Sequence, residues 1–292
     1  MLPDKILGLF YMYGLMIAVG ILCCFGVLFQ YGRKRKIETR FIDFVFYNGI
    51  AAIALGFGSA ALFQAFYNYI ENPSAGFNLN GGLTFIGGLI GGVVCFLLGY
   101  AIFRKRYKAR LVDIISIVPC CILIAHAFGR LGCFFAGCCY GKPTDSFLGV
   151  HFPHVPGKVH PTQLYESIFL FALFTVCYLL YYKKHFKHTM SLYLIVYGIF
   201  RFSIEFLRGD HRGELLGFIS PSQFWSILMV VGGVAVYFLL DWLFKKRAQE
   251  LALAVEEQNA ETELPVVAED AQEEATPAVI ESEQTEQTEA EE

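Results

Sequence analysis

Residues 8–36 read GLFYMYGLMIAVGILCCFGVLFQYGRKRK, an uncharged stretch through Gly32 that ends in the basic run Arg33 to Lys36. At 1.5 Å per helical residue, its first twenty-four residues (8–31) suffice to cross a hydrocarbon layer about 30 Å thick. The stretch is too long for the apolar part of a cleavable leader, so it is expected to remain as a helix. Six further stretches of the same kind fall at about 42–66, 83–103, 111–131, 164–182, 189–207 and 222–244. The 292 residues are 55% hydrophobic and 17% charged, against about 45–50% and 25% in soluble domains. An ordinary soluble globule is excluded. The expectation is an all-α polytopic membrane protein with about seven transmembrane helices.

The net charge of −3 conceals a split. Residues 1–249 hold all 23 Lys and Arg but 11 of the 26 acids, and residues 250–292 hold the other 15 acids. Sixteen of the bases follow the first, third, fifth and seventh stretches, within 33–40, 104–110, 183–187 and 245–247. The opposite loops carry only Lys5, Lys142, Lys158, Arg208 and Arg212. Basic loops stay in the cytoplasm, so the N-terminus is expected outside and the C-terminus in the cytoplasm. Residues 1–249 then form the membrane domain. Residues 250–292 form an acidic cytosolic tail, disordered from about 255 because it lacks apolar surface to offset its ordering entropy.

Ionisable groups inside a membrane are costly and suggest function. Asp43, Asp113 and Asp241 fall at cytosolic helix ends and read as solvated. The others gather near the outer level. Tyr197, Arg201, Glu205 and Arg208 are spaced four, four and three apart, which aligns them on one helical stripe. Arg201 sits about 9 Å from the outer end of its span. Arg130 ends the fourth span, and Tyr165 and Glu166 begin the fifth. Arg130–Glu166 and Arg201–Glu205 ion pairs are expected. Three arginines against two glutamates leave an excess of positive charge that suits phosphate oxygens. At this depth the natural anion is a phospholipid head group.

The loop after the fourth span brings Cys133, Cys138 and Cys139 close together, with His126 upstream. Structural thiols or a disulfide, a metal site and a catalytic thiol all remain open, although C-x4-C-C matches no common zinc spacing. His151 and His154 read as solvated, whereas His160 is held in an extended entry to the fifth span by Pro161. Cys23, Cys24, Cys95, Cys120, Cys121 and Cys177 read as packing residues. The glycine pairs Gly81-Gly82, Gly87-Gly88 and Gly91-Gly92 permit close helix approach, with contact to a bound lipid as a second reading.

Several of these stretches resemble motifs of the prolipoprotein diacylglyceryl transferase family of bacterial inner membranes. They are Tyr13-Gly14-Leu15-Met16, Phe85-Ile86-Gly87-Gly88-Leu89, Gly129-Arg130-Leu131-Gly132-Cys133-Phe134 and His160-Pro161-Thr162-Gln163-Leu164-Tyr165-Glu166. Tyr197-Gly198-Ile199-Phe200-Arg201-Phe202 with Glu205 and Arg208 is similar to a further family run, and Ser222-Gln223 also fits. The resemblance implies a multi-pass protein of the bacterial cell membrane, its site facing the extracytoplasmic leaflet. It implies transfer of diacylglyceryl from phosphatidylglycerol to the lipobox cysteine of an exported prolipoprotein. No metal, organic cofactor or nucleic acid is implied.

Arg130, Arg201, His160 and Glu205 are the expected catalytic residues. Tyr13, Gly87, Gly88, Tyr165, Glu166, Tyr197 and Arg208 are expected to bind substrate. Three positions depart from the family pattern: Ile86 replaces its histidine, Cys133 its asparagine and Cys138 its glutamate. The lipid-holding half of the site is kept and the proton-moving half is rewritten, with His160, Glu205, His126 or a thiol as substitute base. Two alternatives stay open: a thiol-active or non-catalytic lipid-binding protein built on Cys133, Cys138 and Cys139, and a transferase with another acceptor. A channel or transporter fits less well, since the sequence has no inverted repeat.

Overall fold

A computed structural model describes residues 11–79, 82, 84–153, 155–209 and 219–263. The readings made for Lys5, Gly81, His154, Arg212 and most of the acidic tail lie outside these residues. The helices are α1 (Met12–Lys34), α2 (Thr39–Glu71), α3 (Phe85–Phe103), α4 (Leu111–Ile114), α5 (Val118–Ala136), α6 (Thr162–Lys184), α7 (Thr189–Ile204) and α8 (Pro221–Glu263). Among the described residues, seven helices are long and apolar enough to cross a membrane. Side chains such as Leu22, Ile102 and Phe238 stand 68–71% exposed, the arrangement expected of surfaces that face lipid. The chain is an all-α polytopic membrane protein.

The chain divides into two compact units, Met1–Leu243 and Phe244–Glu292. In the second, Arg247 and Glu250 pair at 3.5 Å. Its residues are helical to Glu263, past the point near 255 where disorder was expected, because Leu, Ala, Glu and Gln favour helix.

Within the first unit, α2 packs along α3, α1 along α5, and α5 along α6. Small residues set the first of these contacts. A Cβ on Gly56 would meet the Gly88 carbonyl oxygen at 3.1 Å, and one on Gly92 the Ala52 carbonyl at 3.3 Å. Ser59 Oγ donates to the Gly87 carbonyl at 2.8 Å, and Asn48 Nδ2 to that of Phe96 at 2.9 Å. The structure thus places Gly87 and Gly88 against α2, where small residues let the backbones approach.

The basic loops after α1, α3 and α6 meet at one end of the bundle. Lys34 Nζ lies 4.1 Å from the Tyr182 ring and Arg35 Nη2 lies 3.1 Å from His185 Nδ1. The Lys108 backbone N–H donates to Glu38 Oε2 at 3.0 Å, and Ser116 Oγ to the Lys187 carbonyl at 2.8 Å. Beneath them lies an apolar core that includes Phe41, Ile114, Ile117, Leu123 and Leu170.

The fourth span differs from expectation. Residues 111–131 do not form one helix. α4 stops at Ile114, a turn follows, and α5 starts beside Pro119, which has no N–H to bond backwards and so suits a helix start. α5 runs on to Ala136, so Arg130 lies inside its last two turns rather than at its end.

Gly56→Ile is expected to lower the thermal stability of the detergent-solubilised protein by about 1–3 kcal/mol, the usual cost of overpacking. Gly58→Ile is the control, because a Cβ there meets nothing within 4 Å. Equal melting shifts in the two variants would contradict the interlocked α2–α3 face.

Candidate functional site

Glu166 stands in the first turns of α6 with its side chain 2% exposed. A carboxylate cannot persist there without compensation, and three groups supply it. Arg130 Nε on α5 lies 3.0 Å from Oε2, an ion pair without the alignment of a hydrogen bond. The Tyr197 hydroxyl on α7 donates to Oε1 at 2.7 Å. His126 Nε2, one turn before Arg130 on α5, lies 3.7 Å from the same oxygen. The His126 ring also packs edge-on against Tyr197, with centroids 5.3 Å apart. The Arg201 charge acts on His126, Glu166 and Tyr197 together.

Glu205 is the second anchor. It accepts a hydrogen bond from Arg201 Nη1 at 2.7 Å and lies 4.0 Å from Arg208 Nε. Its other oxygen accepts from Ser220 Oγ at 3.1 Å. Ser220 also caps α8: Gln223 N–H donates to Ser220 Oγ at 3.2 Å, and Ser220 N–H to Gln223 Oε1 at 3.1 Å. This reciprocal box, with Pro221 at the first helical position, fixes the start of α8 beside Glu205. Both expected ion pairs are present. The side chains of Arg130 and Arg201 are only 19% and 11% exposed. Among the described residues Arg201 donates one hydrogen bond and Arg130 none, although a guanidinium carries five N–H donors. Most of that capacity is not used by other groups among the described residues.

The cysteine loop is built by backbone geometry. Gly137 takes a left-handed conformation at φ +71°, its N–H reaching the Phe134 carbonyl at 3.1 Å while the Cys138 N–H reaches that of Cys133 at 3.2 Å. This closes α5 in a Schellman motif. Cys139 is also left-handed, at φ +63°, which is costly for a residue with a Cβ. Side chains at the start of α6 hold it there: Thr162 Oγ1 donates to the Cys139 carbonyl at 2.9 Å, and Gln163 Nε2 donates to that of Cys138. As a result the sulfur atoms of Cys133, Cys138 and Cys139 lie within 4.8 Å of one another. Hydrogen bonds from the other two thiols, helped by Arg130 and Arg208, hold the Cys139 thiol well below the usual cysteine range.

Further on, Gly141 N–H donates to the His160 carbonyl at 2.8 Å and Lys142 N–H to that of Leu207 at 2.8 Å. A Cβ on Gly141 would stand 2.5 Å from the Leu207 carbonyl oxygen, so only glycine permits this crossing. Tyr13 packs on Gly132, where a Cβ would meet its ring at 3.1 Å.

The structure therefore gathers Arg130, Arg201, Arg208, Glu166, Glu205, Tyr197, Tyr13 and the three cysteines. It does not bring all the expected residues to the same place. His160 Nδ1 lies 3.3 Å from the Tyr165 hydroxyl and, among the described residues, its ring has no ionic partner. Gly87 and Gly88 lie on the α2–α3 face, and Ile86 is 47% exposed. His126, weighed only as a substitute base, stands beside Glu166. Its signal was the four-residue spacing to Arg130. Ser220 was missed, and the Ser-x-x-Gln pattern before α8 would have found it.

Comparison with known proteins agrees with these motifs. The family model described as prolipoprotein diacylglyceryl transferase matches residues 6–239. A phosphatidylglycerol–prolipoprotein diacylglyceryl transferase of Clostridium tetani is 37% identical over 235 residues, covering 78% of this chain and 92% of that one. A second, from Clostridium perfringens, is 36% identical over 244 residues, covering 80% and 92%. One from Teredinibacter turnerae is 29% identical over 236 residues, covering 77% and 81%.

Removing the buried anchor should unfold the site. Glu166→Ala leaves Arg130 uncompensated and is expected to cost about 3–5 kcal/mol, whereas Tyr197→Phe costs about 1–3 kcal/mol. Thermal or denaturant unfolding in detergent checks the ranking, and a Glu166→Ala protein as stable as the parent would contradict it.

Proposed function

The chain belongs to the prolipoprotein diacylglyceryl transferase family, and from that premise we propose that it moves the diacylglyceryl group of phosphatidylglycerol to the lipobox cysteine thiol of exported prolipoproteins. It is a multi-pass bacterial membrane protein. The observation that carries the reading is the pair of mostly buried guanidinium groups, Arg130 and Arg201, each braced by one carboxylate and with N–H donors unspent.

The chemistry follows from the charges. A thiolate attacks the terminal glyceryl carbon, the carbon–oxygen bond to phosphate breaks, and glycerol phosphate leaves with the electron pair. Negative charge grows on the departing phosphate. Fixed cations in a water-poor setting stabilise that growth more than they stabilise the resting lipid. Arg130 and Arg201 hold the phosphate in this reading. Glu166 and Glu205 fix the guanidinium planes, Tyr197 fixes Glu166, and Arg208 adds charge from the end of α7. His160 with Tyr165 shapes the neighbouring wall, beside Tyr13 near the cysteine loop. Gly87 and Gly88 contribute through the α2–α3 face.

The orientation belongs to the same proposal. The basic end of the bundle faces the cytoplasm and the arginine site faces the extracytoplasmic leaflet, where exported prolipoproteins present their cysteine. Residues 1–249 form the catalytic membrane domain, and residues 250–292 form a cytosolic tail that takes no part in transfer.

Arg130→Ala and Arg201→Ala are each expected to lower kcat in a transfer assay by about 10²–10³-fold, the effect of removing one preplaced donor to a developing oxyanion. The assay uses labelled phosphatidylglycerol and a lipobox peptide. Turnover retained in both variants would refute the clamp. A reporter fused after Arg247 should be active only if it is of the cytoplasmic type; activity from a secreted-type phosphatase at that point would reverse the orientation.

A further inference from the structure

The three loop thiols form a cluster that phosphate binding does not use. Cys133, Cys138 and Cys139 reach it from the last turn of α5 and from two successive loop residues, and their sulfur atoms all lie within 4.8 Å of one another. Cys139 adopts a costly left-handed conformation to do so, and Thr162 and Gln163 hold the loop in place. All three cysteines are free. A tetrahedral zinc ion with sulfur ligands at about 2.3 Å sets them about 3.8 Å apart, so small side-chain movements complete such a site. Among the described residues, no fourth Cys, His, Asp or Glu joins the group. Three protein ligands with an open fourth position characterise a working zinc site rather than a structural one.

The surroundings fit a thiolate-bound ion. The charges of Arg130 and Arg208 both act on Cys139. Three thiolates around a divalent cation carry one net negative charge, and these guanidinium groups compensate it. Soft sulfur ligands select zinc over magnesium or calcium.

We propose that Cys133, Cys138 and Cys139 hold a zinc ion whose open position receives the acceptor cysteine as its thiolate, next to the phosphate held by Arg130 and Arg201. This rests on the transferase reading above and names the group that activates its nucleophile. A thiol loses its proton on binding the ion, and that proton passes to solvent. The bound sulfur then attacks the glyceryl carbon, the carbon–phosphate oxygen bond breaks, and glycerol phosphate carries the electron pair away. The thioether product is neutral and a poor ligand, so it leaves the ion. The scheme needs no histidine base, which accounts for Ile86 at that position of the family pattern.

The test uses the full chain, reduced and in detergent. With zinc as the only metal supplied, one equivalent per chain should remain after desalting. Cobalt in its place should show intense thiolate charge transfer and the visible bands of a tetrahedral ion. Cys138→Ser and Cys139→Ser should lose both signals, and Cys23→Ser, which alters a cysteine of α1, should keep them. No retained zinc, or a cobalt spectrum unchanged by Cys138→Ser and Cys139→Ser, overturns the site. Chelation of the ion should slow transfer by roughly a hundredfold, the scale of a lost proton-transfer catalyst, and zinc should restore it. Undiminished transfer in the metal-free chain overturns the role in activation and leaves the transferase reading intact. A chain that holds zinc but transfers no diacylglyceryl group sinks the transferase reading, and the role given to the ion with it.

Discussion

A carboxylate enclosed where α5, α6 and α7 meet has to be neutralised, and the upper half of the bundle is arranged around that demand. Glu166 draws Arg130 and His126 from one helix and Tyr197 from another. Water at a protein surface would share this work. In a hydrocarbon layer, partners must come from the chain itself. Three helices are thereby locked in rotation, and Arg130 and Arg201 converge. The charge that stabilises the site is also the one that orients it.

A second set of constraints acts through the backbone. The loop after α5 is tied to the start of α6 by Thr162 and Gln163 and to the turn that follows α7 by Lys142. Gly141 permits a crossing that a Cβ would block. Ser220 serves at once as the cap of α8 and as a ligand of Glu205. The guanidinium groups are positioned by helices and the thiols by a stitched loop. The two parts are held by different means, so sequence change in the loop need not disturb the arginines. That division matches the motif pattern, in which the arginine positions agree with the family and the histidine, asparagine and glutamate positions do not.

Much of this was legible before any coordinates. Seven apolar stretches specified the helices because a bilayer sets both their length and their composition. The Arg201–Glu205 pair followed from a spacing of four along one helix. The Arg130–Glu166 pair followed from charge balance at a common depth. Other features depended on competition between local preferences. Pro119 suits the start of α5, and the left-handed Gly137 closes its far end. The tail kept helical form to Glu263, in line with its helix-favouring composition.

The sequence by itself determined that the chain spans a membrane seven times, that its bases alternate from loop to loop, and which charged residues share a depth. These are properties of composition and of period along one dimension. Tertiary structure alone decided that His126 rather than His160 stands beside Glu166, that Gly87 and Gly88 serve the α2–α3 face, and that three thiols spaced C-x4-C-C converge within 4.8 Å. The physical reason is the same in each case. Which side chains meet depends on how helices rotate against one another and on where a loop turns left-handed. Those choices are made by close packing between segments far apart in the chain.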